Sequence, residues 1–174
     1  MRGTVLGRGE EVQALWRSAI GMSGLASFLA LIAFPVCAQT ITDGDTLKHN
    51  NTIYRLWGID APETKQDCAD GWPAGRLATT RLQALIRGRT VMCEEKDRDH
   101  YGRTVAICRV AGEDLGATMV REGMAWAFVR YSRDYVRQEA AARAEGLGVH
   151  AHDCMFPWEW RTRNRGGTGR NSEN

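Results

Sequence analysis

The sequence predicts an α+β domain, a small OB-like β-barrel of short strands with helices inserted late. Two observations carry this expectation. Strand-like runs fill 40–59 and 90–110, and apolar residues at helical spacing follow three separate helix-start signals. The 174 residues suit one modest domain, with enough apolar and Trp content for a real core and no internal repeat.

In chain order, 40–49 and 51–59 read as two strands joined at Asn50-Asn51, a turn-prone pair. Residues 90–95 and 103–110 read as two more, with a further short strand around Ile59. Trp72-Pro73 opens the first helix, which carries Leu77, Ala78, Leu82, Leu85 and Ile86 on one side and ends at Gly88. Asp114 caps a short second helix with Leu115, Met119 and Val120 inward, closed by Gly123. Ser132 caps a third, through Val136, Ala140 and Ala144 to Gly146. From Arg161 onward the chain is Arg, Gly, Asn and Ser without apolar periodicity, so 161–174 reads as a disordered basic tail.

The first 38 residues differ from the rest. Residues 19–38 are uncharged and mostly apolar, Arg2, Arg8 and Arg17 precede them, and Val36-Cys37-Ala38 is a tolerable small-residue cleavage site. A cleaved signal peptide is the preferred reading, and a retained membrane anchor competes with it, since about 20 apolar residues span a bilayer. Pro35 and the short strong core at 25–34 favour cleavage. Both place 39–160 outside the cytoplasm, extracellular or periplasmic, because the positive flank stays inside. Met22 is an alternative start. Net charge is only +2, so no global basic field attracts nucleic acid and any such binding needs a local groove.

Export changes the meaning of the cysteines. Beyond residue 38 there remain Cys68, Cys93, Cys108 and Cys154, an even number in an oxidising compartment. Three pairings are open. Cys93 and Cys108 lie on two strands flanking the Tyr101-Gly102 turn, which favours that pair and leaves Cys68 with Cys154. A zinc site is disfavoured because no Cys-x-x-Cys occurs.

Three clusters carry the chemistry: Asp43-Gly44-Asp45-Thr46, then Arg55 leading into Asp60-Ala61-Pro62-Glu63-Thr64, then Asp99-His100-Tyr101-Gly102-Arg103-Thr104. Each has a bland reading: an Asp-Gly turn, a snorkelling arginine, a hairpin residue. On a straight first strand, Ile41, Asp43, Asp45 and Leu47 share one face, which puts two carboxylates beside apolar neighbours unless Gly44 is a bulge. Such charges need a cation or a partner. Acids for a cation, arginines for phosphate and one more acid for a proton make up metal-assisted phosphodiester hydrolysis.

Together the clusters resemble, in order and spacing, the thermonuclease family of staphylococcal-nuclease-like domains, over about residues 40–152. The resemblance implies a five-stranded OB barrel with three helices and calcium-dependent cleavage of DNA and RNA, single strands included, by a chain expected to be a monomer. It implies that Asp45, Asp60 and the backbone carbonyl of Ala61 bind Ca2+, that Glu63 activates water, and that Arg55 and Arg103 grip the phosphate. Asp43 and Thr46 would support the metal ligands, and Tyr101 and Tyr131 would lie beside the nucleotide. The chain departs from the family pattern at Ala61, where threonine is common, at Val129, where a tyrosine is expected, and at His150, where tryptophan is usual and Trp158 and Trp160 are candidates to pack instead. The loop from Arg130 to Tyr135 is also shorter. The competing class is a non-catalytic OB-fold module that binds nucleic acid or protein. A membrane role requires the leader to be retained.

Overall fold

The computed structural model describes residues 39–165. The leader and the last nine residues of the basic tail lie outside this range. Six strands form one sheet in the order β1-β2-β3-β6-β5, with β7 added to β6. These are β1 (Thr40–Asp43), β2 (Thr46–His49), β3 (Thr52–Leu56), β5 (Val91–Arg98), β6 (Thr104–Val110) and β7 (Glu113–Asp114). A second, two-stranded sheet pairs β4 (Ile59–Asp60) with β8 (Trp126–Ala127). Four helices are described: α1 (Ala74–Ile86), α2 (Leu115–Arg121), α3 (Val136–Ala144) and α4 (Pro157–Arg165).

The α+β class is as predicted, but the element counts differ from five strands and three helices. The first expected strand is in fact two, folded back at Gly44-Asp45 with Ile41 paired to Leu47 and Asp43 to Thr46. The second is interrupted at Trp57-Gly58, where Gly58 takes φ +66. The turn at Asn50-Asn51 forms as expected. Both asparagines are left-handed, at φ 48 and 64, which matches the twist of a tight hairpin. Strand β3 runs parallel to β6, Arg55 opposite Val105, and α1 and β5 make the crossover between them.

Burial follows the alternation of the strands. Thr104, Ala106, Cys108 and Val110 of β6 face the core, joined by Leu47, Leu56 and Ile59 from the neighbouring strands. Helix α1 covers them with Ala74, Ala78, Leu82 and Ile86, a clean i, i+4, i+8 stripe. Leu77, expected on that face, is exposed instead. Asp114 caps α2 by accepting a hydrogen bond from the Ala117 N–H at 3.1 Å, as its position predicts.

Helix α3 starts four residues after the expected cap. Ser132 instead accepts from the Asp134 N–H, a local turn that competes with helix initiation. Tyr135 is the buried anchor of that entry, and its hydroxyl donates to Asp114 Oδ2 at 2.9 Å. The buried residue of α3 is Ala142, not the 136/140/144 stripe. Helix α4 is the largest departure, because 161–165 was expected to be tail and is helical.

Both disulfides have the favoured connectivity, Cys93–Cys108 across β5 and β6 and Cys68–Cys154 between the 63–73 loop and the C-terminal segment.

Two glycines are dictated by close approach. A Cβ on Gly44 would lie 2.7 Å from Ala78 Cβ and 2.8 Å from Ala61 Cβ, so only glycine lets the β1–β2 turn nest on α1. A Cβ on Gly75 would fall inside the carbonyl of Glu63. Gly75→Ala is therefore expected to displace the Glu63 loop and destabilise the fold by about 1–3 kcal/mol or more. Chemical denaturation checks this, and an unchanged midpoint would mean that the loop does not pack on α1 as described.

Candidate active site

The fold-back at Gly44 is what delivers Asp45. The turn seats the side chain almost fully inside, 2% exposed, against the start of β2. Asp45 Oδ1 accepts from Thr46 Oγ1 and from Arg55 Nη1, both at 2.9 Å, and Oδ2 accepts from the Ala61 N–H at 3.0 Å. Its own N–H donates to Asp43 Oδ1 at 3.1 Å. The antiparallel register of β2 with β3 sets Thr46 opposite Arg55, so the guanidinium begins beside the turn.

Asp60 closes β4 and is 0% exposed. Arg55 Nη2 donates to its Oδ1 at 2.7 Å, so one guanidinium bridges Asp45 and Asp60. Glu63 lies three residues on, in a loop pinned from inside by Gln66, also 0% exposed. Gln66 Oε1 accepts from the Glu63 N–H at 3.2 Å, and its Nε2 donates to the Met155 carbonyl at 2.7 Å.

A second guanidinium enters from α4. Arg161 Nη1 and Nη2 take both oxygens of Asp60 at 3.1 and 2.7 Å, and Nη1 also donates to Glu63 Oε1 at 2.7 Å. Arg161 and Gln66 are the site residues that the sequence reading missed. Gln66 carried no signal. For Arg161 the signal was present: Pro157 suits the first helical turn, Glu159 follows in that turn, and Arg163 and Arg165 complement the C-terminal end.

Arg103 begins on the same side of the sheet as Arg55, two residues before Val105, which pairs with Arg55. Its Nε donates to Asp99 Oδ2 at 2.7 Å, and its guanidinium lies 5.4 Å from the Tyr101 ring centroid. Tyr101 and Tyr131 are open, at 62% and 63% exposed. Tyr131 continues an aromatic series in which Phe128 packs on Tyr131 and Trp158, Trp158 stacks on Phe156, and Phe156 meets Trp126. His150 stands edge-on to Trp126. Trp158 thus packs on Phe128 and Phe156, and Phe156 links it to Trp126, beside which His150 stands.

The electrostatics show a surplus of negative charge. Four carboxylates, Asp43, Asp45, Asp60 and Glu63, face two guanidiniums, Arg55 and Arg161. Burial pushes Asp45 up, but Arg55 and its hydrogen bonds outweigh burial and hold it below the ordinary carboxylate range. Asp43 absorbs part of the surplus: burial, then repulsion from Asp45, raises it to about 7. Asp60 is also raised, by burial first and against the pull of Arg161 and Arg55. Burial disfavours the charge on Arg55, yet Asp45 and Asp60 raise it well above its usual value.

Among the described residues no three His, Cys, Asp or Glu side chains form a metal cage. The residues nevertheless fit a hard cation. Asp45 and Asp60 are both buried, both oxygen donors, and close enough to share one guanidinium. Calcium takes six to eight oxygens and accepts carbonyl, water and substrate oxygens for the remainder. A divalent ion would also neutralise the surplus charge.

Comparisons with known proteins identify the family. A family model described as staphylococcal nuclease homologue matches residues 53–151. A protein named micrococcal nuclease from Shigella flexneri is 35% identical over 167 residues, covering 82% of this chain and 92% of that protein. An "uncharacterized endonuclease" of Haemophilus influenzae is 36% identical over 129 residues, 70% of this chain and 69% of its own length. A staphylococcal-like nuclease of Arabidopsis thaliana, CAN1, is 33% identical over 116 residues, 65% of this chain and 34% of its own. Arg55, Asp60, Glu63 and Arg103 fall within the matched segment, Asp45 lies upstream of it, and Arg161 lies beyond it.

Proposed function

This chain belongs to the staphylococcal nuclease homologue family, and from that premise we propose that it is an exported, calcium-dependent endonuclease. It hydrolyses phosphodiester bonds of DNA and RNA with little sequence preference. The observation that carries this reading is the buried Asp45–Asp60 pair bridged by Arg55, with Glu63 beside it on a loop pinned by Gln66.

Asp45, Asp60 and the Ala61 carbonyl are the groups that would hold the ion, with Thr46 and Asp43 fixing Asp45 through hydrogen bonds. Calcium, when bound, supplies a Lewis acid and screens the phosphate charge. Glu63 takes a proton from the attacking water as the water oxygen bonds to phosphorus. The P–O5′ bond breaks, the departing oxygen is protonated from solvent, and a 3′-phosphate remains. Arg55 and Arg103 offer planar donor forks to the equatorial oxygens of the five-coordinate phosphorus, a role lysine fills poorly.

Exposed Tyr101 and Tyr131 offer faces to unpaired bases, and such stacking is worth about 1–3 kcal/mol per base whatever the base. Single strands are therefore the preferred substrate form. The two disulfides support an oxidising compartment, in keeping with the apolar leader.

Digestion of labelled single-stranded DNA and RNA tests the reading. Cleavage is expected with calcium and is expected to disappear on chelation. Cleavage that survives chelation contradicts the ligand assignment, and tight binding without any cleavage supports the non-catalytic module instead.

A further inference from the structure

Arg161 comes from about a hundred residues away, and its placement is imposed by its surroundings. The segment before α4 is bolted to the Glu63 loop by the Cys68–Cys154 disulfide, by Gln66 Nε2 donating to the Met155 carbonyl, and by the Ala69 N–H donating to the Asp153 carbonyl at 2.8 Å. His152 adds to the clamp by pairing with Asp70 at 2.7 Å and stacking on Trp72 with ring centroids 4.4 Å apart. On α4 itself, Trp158 packs on Phe128 and Phe156. The clamp delivers a guanidinium fork onto both Asp60 oxygens and onto Glu63 Oε1.

That position competes with a divalent ion for Asp60 more fully than Arg55 does, since Arg55 takes only Oδ1 whereas the Arg161 fork takes both oxygens. An ion on that carboxylate would have to displace the fork, because two cationic centres a few ångströms apart in a buried site repel strongly. The same guanidinium also engages Glu63, the group assigned to take a proton from water.

We propose that Arg161 is a tethered competitor for the divalent cation, which occupies Asp60 and Glu63 in the metal-free protein and thereby sets the apparent calcium affinity. This rests on the assignment of Asp60 as a calcium ligand. A binding-competent fraction of about one in ten raises the apparent Kd about tenfold over the intrinsic value. By reciprocity, calcium must release Arg161 to the same degree.

Calorimetric titration of calcium into the full chain without substrate tests this in the wild type, Arg161→Gln and Arg161→Lys. Arg161→Gln is expected to bind calcium about tenfold more tightly, and Arg161→Lys, which keeps the charge but loses the fork, to fall between. Equal or weaker binding by Arg161→Gln overturns the proposal, because a merely structural arginine would leave the affinity unchanged or lower it. If neither the wild type nor Arg161→Gln binds calcium, the metal assignment itself fails and the proposal falls with it. A second measurement needs no variant. Phenylglyoxal labelling of Arg161 in the wild type, read by mass spectrometry, is expected to rise when calcium is added, and labelling that does not change overturns the displacement.

Discussion

Glu63→Gln is expected to lower turnover on single-stranded DNA by about 10²–10⁴ while leaving KM nearly unchanged. The amide is isosteric and keeps its place on the loop, because the Glu63 N–H and Gln66 hold the backbone independently of the side chain. It cannot accept the proton of the attacking water. The loss is therefore expected to be confined to the chemical step, since the proposed mechanism gives phosphate binding to Arg55 and Arg103 and base stacking to the tyrosines. Steady-state kinetics separate the two terms. Full activity in the variant removes Glu63 as the base, and a loss carried entirely by KM would reassign it to substrate binding.

Replacing Arg55 with methionine is expected to destabilise the metal-free protein by about 3–5 kcal/mol, the cost of leaving a buried charge without its partner. Arg55 is the guanidinium that Asp45 has, whereas Asp60 retains Arg161. Methionine preserves the apolar packing of the side chain, so the measured loss reports the charge. Calcium should restore part of the stability, because an ion that binds only the folded state replaces some of the missing positive charge. Urea denaturation with and without calcium measures both effects. An Arg55→Met protein as stable as the wild type would mean that the Asp45–Asp60 pair is not held as described. Activity is also expected to fall, since the proposed mechanism uses Arg55 to grip the phosphate.

Much of the site was legible because its chemistry lies in short local motifs. Asp45, Arg55, Asp60 and Glu63 are separated by turns and short strands, so the order and spacing of their motifs carry the resemblance to the family, and the structure brings these residues together. The route was partly misread. A straight first strand put Asp43 and Asp45 on one face by parity, whereas the chain reverses at Gly44-Asp45. The Asp-Gly turn, the bland alternative for that motif, is the device that buries Asp45, and it depends on contacts with Ala61 and Ala78 that no local pattern reveals. Helix α1 and the cap of α2 were readable because Pro73, Gly88 and Asp114 act through their own neighbours.

Helix α3 was misplaced because its entry is fixed by a long-range bond from Tyr135 to Asp114, not by its nearest hydroxyl. Arg161 was missed for a similar reason. Its partners are 98 and 101 residues away, and polar composition around it outweighed a weak helix-start signal. The Cys68–Cys154 disulfide is what carries the chain beyond Cys154 back toward the acids.

In the proposed mechanism Asp45 and Asp60 hold a cation while Glu63 moves a proton. Cleavage rate against calcium concentration tests it most directly, in the wild type and in Glu63→Gln side by side. The wild-type rate is expected to rise from zero to a plateau. The variant is expected to reach a plateau about 10²–10⁴ lower, with a midpoint no higher, since the ion still finds its ligands. A wild-type rate independent of calcium, or a Glu63→Gln plateau equal to that of the wild type, would contradict the account.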